Sequence, residues 1–290
     1  MKAEAIQQTA IIRQALQPVP AILVHGWKSH PGVWKRLVSR LDQEAIPSWI
    51  FDHSEHTGVP LEGISLLLRD YIRDKRSMGH YTGPVDIVCH SMGTCIARYL
   101  LEVLDRDERS ESVNQLIGIG PPNNGSAMAE LFNHPVFGPR VIDRLAGVFV
   151  PGEYNPDEDT IVQQFRPGSR VMDELRNAGI REDITYRILL TANKTADPGF
   201  FPPFDGKTWE FSGTGTFSPT YLGDGIVPHS DSVMKGAIVE ILPKDPGILE
   251  HSGDRYCHTR LPGNPEVVET VVGYLKKDLS RGPGQETSSR

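Results

Sequence analysis

The sequence predicts an α/β fold: a mainly parallel sheet of about six strands, with helices on both faces. Short apolar runs alternate with stretches whose apolar residues recur at helical spacing, and this alternation is typical of a parallel sheet covered on both sides. The runs are apolar almost throughout, as expected for strands buried on both faces. The predicted strands are residues 21–25, 49–52, 85–89, 115–119, 186–191 and 237–242.

The stretches between these runs carry helical patterns. The first two have apolar residues on one helical face, namely Val33, Leu37 and Leu41, then Ile64, Leu68, Tyr71 and Ile72. Residues 95–104 form an apolar helix after the third strand. Asn264 and Pro265 mark the start of the last helix, because Asn caps a helix and Pro suits its first turn.

Two segments interrupt this alternation. Residues 127–183 are too long for one crossover and carry many apolar side chains, so we predict an inserted cap or lid. Residues 193–222 are rich in aromatic residues, Gly and Pro and predict an excursion with a short hairpin. The expected organisation is a core formed by residues 1–126 and 184–280, the insertion at 127–183 and a disordered tail at 281–290.

Composition excludes some functions and favours a location. A net charge of −7 over 290 residues argues against a nucleic-acid partner, since nucleic-acid binders concentrate basic residues on one face. Residues 1–17 read as a helix without the apolar core of a signal peptide, and no stretch is long enough to span a bilayer. Cys89, Cys95 and Cys257 cannot all pair, which favours free thiols and a cytoplasmic location.

The segment from Cys89 to Gly93 predicts a nucleophile at Ser91. It joins an apolar strand to an apolar helix, and so tight a turn lifts the central side chain clear of the sheet. Strand and helix backbones nearly touch there, so the residues two before and two after Ser91 must be small. Cys89 departs from the usual Gly-x-Ser-x-Gly pattern but is still small, and Gly93 fits it.

A serine nucleophile also needs amides that stabilise an oxyanion. Ligands bind at the carboxyl ends of strands in open α/β sheets, so each part of the site should directly follow a strand. His25, Gly26 and Trp27 follow the first strand, and we assign the oxyanion role to the backbone amides of Trp27 and Met92. His25 and Gly26 are then expected at the substrate pocket. His90 is expected to be a pocket-wall or structural residue.

The carboxylate that orients the base should follow a later strand. Asp224 lies in an Asp-Gly turn before a short apolar run and is the preferred acid, with Asp231 second and Asp197 third. The base must lie between the sixth strand and the last helix, where His251 and His258 are the candidates. His258 is preferred because it lies nearer the Asn264 cap, where a short loop would hold it firmly.

These segments together resemble lipases and esterases of the α/β-hydrolase fold, with features of small bacterial lipases that have a Cys/Ala-His-Ser-Met-Gly elbow. The resemblance spans about residues 19–279 and depends on residues 22–27, 88–93, 120–126 and 224–228 and on His258. It implies a catalytic triad of Ser91, Asp224 and His258, in the chain order of that fold, and strengthens the choice of His258 over His251. It also implies a reduced six-stranded sheet without the antiparallel pair of larger members.

The resemblance implies a carboxylic-ester hydrolase, and an apolar lid with flanking aromatic residues favours medium-chain acyl esters. The expected partner is a small-molecule or lipid ester. The lid residues fit either transient contact with a lipid surface or packing over the pocket, and packing is the default. A thioesterase, amidase or acyltransferase with the same triad stays open, as does a catalytically inactive binding protein of the same fold.

No cofactor or metal is expected. Residues 52–56, Asp-His-Ser-Glu-His, contain four residues of metal-binding type, but their spacing matches no closed zinc or calcium pattern. Gly213-Thr214-Gly215 is not followed by a helical pattern, so a phosphate-binding loop is not predicted either.

Overall fold

All six predicted strands are present in the computed structural model, which describes residues 18–279. The strands are β1 Ala21–Val24, β2 Ser48–Phe51, β3 Val85–His90, β4 Val113–Ile119, β5 Thr185–Thr191, β6 Thr208–Phe211, β7 Phe217–Thr220 and β8 Ile238–Leu242. Six of them form one sheet in the order β2-β1-β3-β4-β5-β8, and every neighbouring pair is parallel. The helix predicted at 1–17 and the tail predicted at 281–290 lie outside the described residues.

The register of the central strands brings their carboxyl ends to one edge. Val24 at the end of β1 is aligned with Cys89 in β3, and His90 at the end of β3 is aligned with Ile119 at the end of β4. The turns that follow these strands therefore meet at this edge, which is where ligands bind in open α/β sheets.

Helices lie in the connections between the strands and at the C-terminal end of the described residues. Their bounds are Lys35–Gln43, Leu61–Gly79, Met92–Arg98, Ala127–Phe132, Gly138–Leu145, Thr160–Gln164, Arg170–Ala178, His229–Ser232, Leu249–Ser252 and Pro265–Leu279. A π-helical turn, Tyr99–Leu104, continues the helix that follows β3. The predicted cap of the last helix is confirmed: Asn264 Oδ1 accepts from the backbone N–H groups of Glu266 at 2.8 Å and Val267 at 3.2 Å. None of the helices between residues 18 and 279 is long and apolar enough to cross a membrane.

Residues 127–183, called the cap segment below, share the hydrophobic core of the sheet. The buried apolar side chains of this segment, Met128, Leu131, Phe132, Leu145, Phe165 and Leu175 among them, belong to the same cluster as the strands. Each such side chain contributes about 1.5–3 kcal/mol by its burial. The cap segment is therefore held against the sheet by ordinary core packing.

The aromatic excursion contains the predicted hairpin, since β6 and β7 pair antiparallel. The Asn193 side chain closes the base of the excursion by donating to the carbonyls of Asp197 and Gly206, both at 2.8 Å. All three cysteines are buried and free, as predicted.

Candidate active site

Ser91 has the backbone conformation of a strained turn, with φ 54° and ψ −129°. Such a conformation costs about 1–3 kcal/mol and persists only where the surroundings enforce it. The helix that follows Ser91 packs closely against β1, since a Cβ at Gly93 would lie 2.5 Å from the Val24 carbonyl oxygen. Cys89 is completely buried, and burial raises the pKa of its thiol well above the ordinary value, so it stays protonated. The small residues around Ser91 thus permit the turn.

The side chains of Ser91, His258 and Asp224 form a hydrogen-bonded chain. The Nε2 atom of His258 lies 2.9 Å from Ser91 Oγ, and its Nδ1 atom lies 2.7 Å from Asp224 Oδ2. The backbone N–H of His258 also donates to the Asp224 carbonyl at 2.9 Å. His258 and Asp224 are buried, and Ser91 is 9% exposed. In this arrangement the imidazole can accept the serine proton while the carboxylate accepts the other ring N–H.

The loop after β7 holds the Asp224 carboxylate in place. Its Oδ1 atom accepts from the backbone N–H of Ile226 at 3.0 Å and of Val227 at 2.7 Å, which leaves Oδ2 for His258. The next peptide is fixed as well, because the Gly225 N–H donates to Thr208 Oγ1 at 2.8 Å. The aromatic-rich segment 193–222, which contains Thr208, therefore supports Asp224.

The alternative residues lie in other environments. Asp231 accepts from the backbone N–H of Ala127 at 2.6 Å, where the cap segment begins. Asp197 accepts from the Gly199 N–H at 2.9 Å and caps a short 3-10 helix. His251 is exposed in the helix Leu249–Ser252.

The turn after β1 lies against Ser91. A Cβ at Gly26 would lie 3.0 Å from Ser91 Cβ, so only glycine fits without displacement. Val24 and Cys89 are partners in neighbouring strands, and Trp27 and Met92 each follow by three residues. Trp27 and Met92 also line the same cavity as Ser91. The first turn of a helix leaves its N–H groups without intrahelical partners, so the Met92 amide is free of the helix ladder.

Asp52 and His53 support this turn through contacts with His25. The His25 and His53 rings stack with centroids 3.8 Å apart, and His53 Nε2 donates to the His25 carbonyl at 3.0 Å. Burial lowers the pKa of His25 and lowers that of His53 to about 4, so both rings are neutral near pH 7. Asp52 lies 3.3 Å from His25 Nε2. Between residues 18 and 279 no group of three His, Cys, Asp or Glu side chains could hold a metal ion.

The His90 side chain contacts His258. Its Nε2 atom donates to the backbone carbonyl of His258 at 3.0 Å, and the two rings have centroids 4.7 Å apart. Burial lowers the pKa of His90 well below its ordinary value, so the ring is neutral. It also lines a cavity of about 220 Å³ with Gly26, Ser91 and His258.

Ser91 also lines a second, apolar cavity of about 50 Å³. The cap segment supplies half of its lining, namely Met128, Ala129, Phe132, Phe149, Ile161, Val162 and Phe165. A third, more polar cavity of about 300 Å³ lies beyond Trp27 and Met92 and includes His25 in its lining. Trp27 lines all three cavities.

Several residues at the site had no signal in the sequence. Phe149 packs edge-on against the His258 ring with centroids 5.9 Å apart, and Trp27 Nε1 donates to Asp159 Oδ2 at 3.2 Å. Asp159 caps the helix Thr160–Gln164, because its Oδ1 accepts from the Val162 N–H. Its second contact crosses 132 residues of sequence, and no local pattern predicts such a contact.

Solved structures similar to this chain share its fold. No family model matches the sequence, and no curated protein matches it either. The mature Bacillus licheniformis lipase BlEst2 is 16% identical, with a TM-score of 0.61, over 90% of this chain and 93% of the lipase. Legionella pneumophila phospholipase PlaB is 14% identical, with a TM-score of 0.57, over 89% of this chain and 64% of the phospholipase.

A carboxyl esterase from a metagenome gives the same result. It is 14% identical, with a TM-score of 0.53, over 91% of this chain and 77% of the esterase. At this level of identity the similarity establishes architecture and not reaction. The parallel six-stranded sheet with helices on both faces, together with these neighbours, shows that this chain has the α/β-hydrolase fold.

Proposed function

We propose that this protein is a carboxylic-ester hydrolase that works through a serine nucleophile and an acyl-enzyme. The observation that carries the proposal is the hydrogen-bonded chain from Ser91 through His258 to Asp224. A strained serine with a base and a buried carboxylate behind it is the arrangement that acyl transfer needs. The lipase, phospholipase and carboxyl esterase with the same fold support an ester as the substrate.

The first half-reaction forms the acyl-enzyme. The Ser91 Oγ proton moves to His258 Nε2 as Oγ attacks the ester carbonyl carbon, and Asp224 stabilises the imidazolium through the Nδ1–H bond. The tetrahedral intermediate then collapses, and His258 gives the proton to the leaving alcohol oxygen. In the second half-reaction His258 takes a proton from water, which attacks the acyl carbon, and Ser91 Oγ leaves with the proton returned from His258.

The backbone amides of Trp27 and Met92 are the proposed oxyanion donors. They follow two aligned strands by the same number of residues and border the cavity at Ser91. Amides fixed in this way stabilise charge that develops only in the transition state, and each is worth roughly 10²–10³ in kcat.

The two cavities that Ser91 lines fit the two halves of an ester. The alcohol must lie beside His258, which protonates it, and the cavity there has Lys28, Ser29, His30 and Thr259 at its rim. The acyl group then occupies the apolar cavity under the cap segment, for which we propose the role of a lid. A thioester, an amide or a second alcohol as acceptor would use the same groups, so a substrate panel separates those reactions.

Hydrolysis of p-nitrophenyl esters and labelling by a fluorophosphonate probe test the proposal. Wild type should hydrolyse the esters and be labelled, and Ser91→Ala should lose both. Ser212→Ala, in the exposed turn of the hairpin, is the matched control and should retain both. His258→Ala should lose turnover by roughly 10³ or more while His251→Ala retains it. Undiminished turnover in Ser91→Ala would refute the mechanism, and absence of labelling in wild type would favour an inactive binding protein.

A further inference from the structure

Asp159 joins the cap segment to the turn that carries the proposed oxyanion donor. Its Oδ1 atom accepts from the Val162 N–H at 3.2 Å and so caps the helix Thr160–Gln164. Its Oδ2 atom accepts from Trp27 Nε1 at 3.2 Å and lies 3.2 Å from Lys28 Nζ. The Asp159 side chain is only 11% exposed, so water does not compete freely for these bonds.

Aromatic contacts add to this connection. The Trp27 ring lies 5.3 Å from Phe149 and 5.7 Å from Tyr154, both in the cap segment. Lys28 Nζ lies 5.1 Å from the Trp27 ring centroid and 5.4 Å from that of Tyr154, within the range of cation–π attraction. Displacement of the cap segment would break these contacts and release the side chain of Trp27.

The site is already assembled with the cap segment in place. Ser91 and His258 are within hydrogen-bond distance, and Trp27 and Met92 border the same cavity as Ser91. That cavity holds about 50 Å³. An apolar cavity of about 150 Å³ accommodates benzene, so only a short acyl group fits here unless Phe132 or Phe149 moves.

We propose that Asp159 is a positioning residue that ties the cap segment to Trp27 and Lys28, so that the closed form is the reactive form and acts on esters of short acyl groups. This inference rests on the proposed function. In the closed form the cap segment holds the turn that carries Trp27 in place. A longer acyl chain needs more space, and making that space breaks the contacts of Asp159. The preference for acyl chain length therefore depends on the same Asp159 carboxylate that holds the turn carrying Trp27.

Asp159→Asn separates this connection from helix capping. Asn is as good a cap as Asp, but its amide group would face Trp27 Nε1 and Lys28 Nζ with hydrogen-bond donors. Trp27→Phe keeps an aromatic ring and the backbone amide but removes the Nε1–H donor together with the five-membered ring of the indole. Asp157→Asn, an exposed neighbouring carboxylate, is the matched control.

The readout is kcat/KM on p-nitrophenyl acetate and p-nitrophenyl octanoate, measured at equal folded fraction. Wild type and Asp157→Asn should prefer the acetate. Asp159→Asn and Trp27→Phe should each lose about tenfold on the acetate, chiefly in kcat, while the ratio of octanoate to acetate rises. The variant that combines both changes should have a kcat/KM on the acetate no lower than that of Asp159→Asn alone, because both changes remove the same hydrogen bond.

An unchanged ratio in folded Asp159→Asn and Trp27→Phe would overturn the inference, as would a wild-type preference for octanoate. If Asp159 only stabilised the fold, its loss would reduce the amount of folded protein and leave the ratio of octanoate to acetate hydrolysis unaltered. If wild type hydrolyses neither ester and escapes fluorophosphonate labelling, the proposed function itself fails. That outcome is distinct from an active enzyme whose selectivity ignores Asp159.

Discussion

His90 and His258 are joined by a hydrogen bond from a side chain to a backbone carbonyl: His90 Nε2 lies 3.0 Å from His258 O. The backbone N–H of His258 is held from the other side by the Asp224 carbonyl at 2.9 Å. Both backbone polar groups of His258 are therefore fixed, the carbonyl by the residue that precedes Ser91 and the N–H by Asp224. Because the imidazole must meet Ser91 and Asp224 at once, such anchoring limits how far it can drift.

Substitutions at His90 test this anchoring. Gln can place an amide N–H near the position of Nε2, whereas Phe fills the space without a donor and leaves a buried carbonyl unpaired. We expect His90→Gln to keep kcat within about threefold and His90→Phe to lower it by about 10–100-fold, with little change in KM in either variant. Steady-state kinetics on one ester measure both parameters. An equal loss of kcat in the two variants would show that a side-chain N–H donor at position 90 is not needed.

The backbone of Gly120 lies close to the Asp224 carboxylate. It has φ +56°, and a Cβ there would lie 2.7 Å from Asp224 Oδ2 and 3.4 Å from His258 Nδ1. Gly120→Ala should therefore displace the carboxylate from the imidazole, lowering kcat by about tenfold or more and destabilising the fold by about 1 kcal/mol or more.

Thermal unfolding and ester hydrolysis measure these two effects of Gly120→Ala. Gly213→Ala is the control, since no atom lies within 4 Å of a Cβ built there. Wild-type kcat in Gly120→Ala would mean that the Asp224 loop moves away without functional loss.

Much of the fold follows from local patterns in the sequence. Near-continuous apolar runs predict buried parallel strands, and all six are present within two residues of their predicted bounds. The turn at Ser91 is also local, because a strand, small flanking residues and a helix all lie within a few positions of it. The Asn264 cap is predicted for the same reason.

Contacts between distant segments could not be predicted in this way. The bond from Trp27 to Asp159 crosses 132 residues, and the bond from His90 to His258 crosses 168. His53, which follows β2, stacks on His25, which follows β1, and this contact also joins separate segments of the chain. Tertiary packing decides these pairings, and a single sequence carries no periodic signal for them.

Asp231 gives the fold a pH dependence that is separate from the proposed chemistry. It is buried, and desolvation raises its pKa from 3.8 to about 7, opposed by the hydrogen bond from the Ala127 N–H and assisted by the charges of Glu210 and Asp224. A folded-state pKa above the unfolded value means that the folded form binds the proton more tightly. The contribution of Asp231 to stability is therefore greatest below about pH 3.8, falls as the pH rises towards 7 and stays low above it.

Asp231→Asn removes this ionisation and keeps an oxygen that can accept from the Ala127 N–H. We expect it to match wild type in stability near pH 4 and to exceed it at pH 8 by roughly 2–4 kcal/mol, since a pKa difference of one corresponds to about 1.4 kcal/mol. Urea unfolding at pH 4, 6 and 8 measures the trend, with the exposed Asp143→Asn as control. The variant should also keep its turnover, because Asp231 does not contact His258. A stability difference independent of pH would show that Asp231 is already ionised at low pH, and a loss of turnover would return Asp231 to consideration as the catalytic acid.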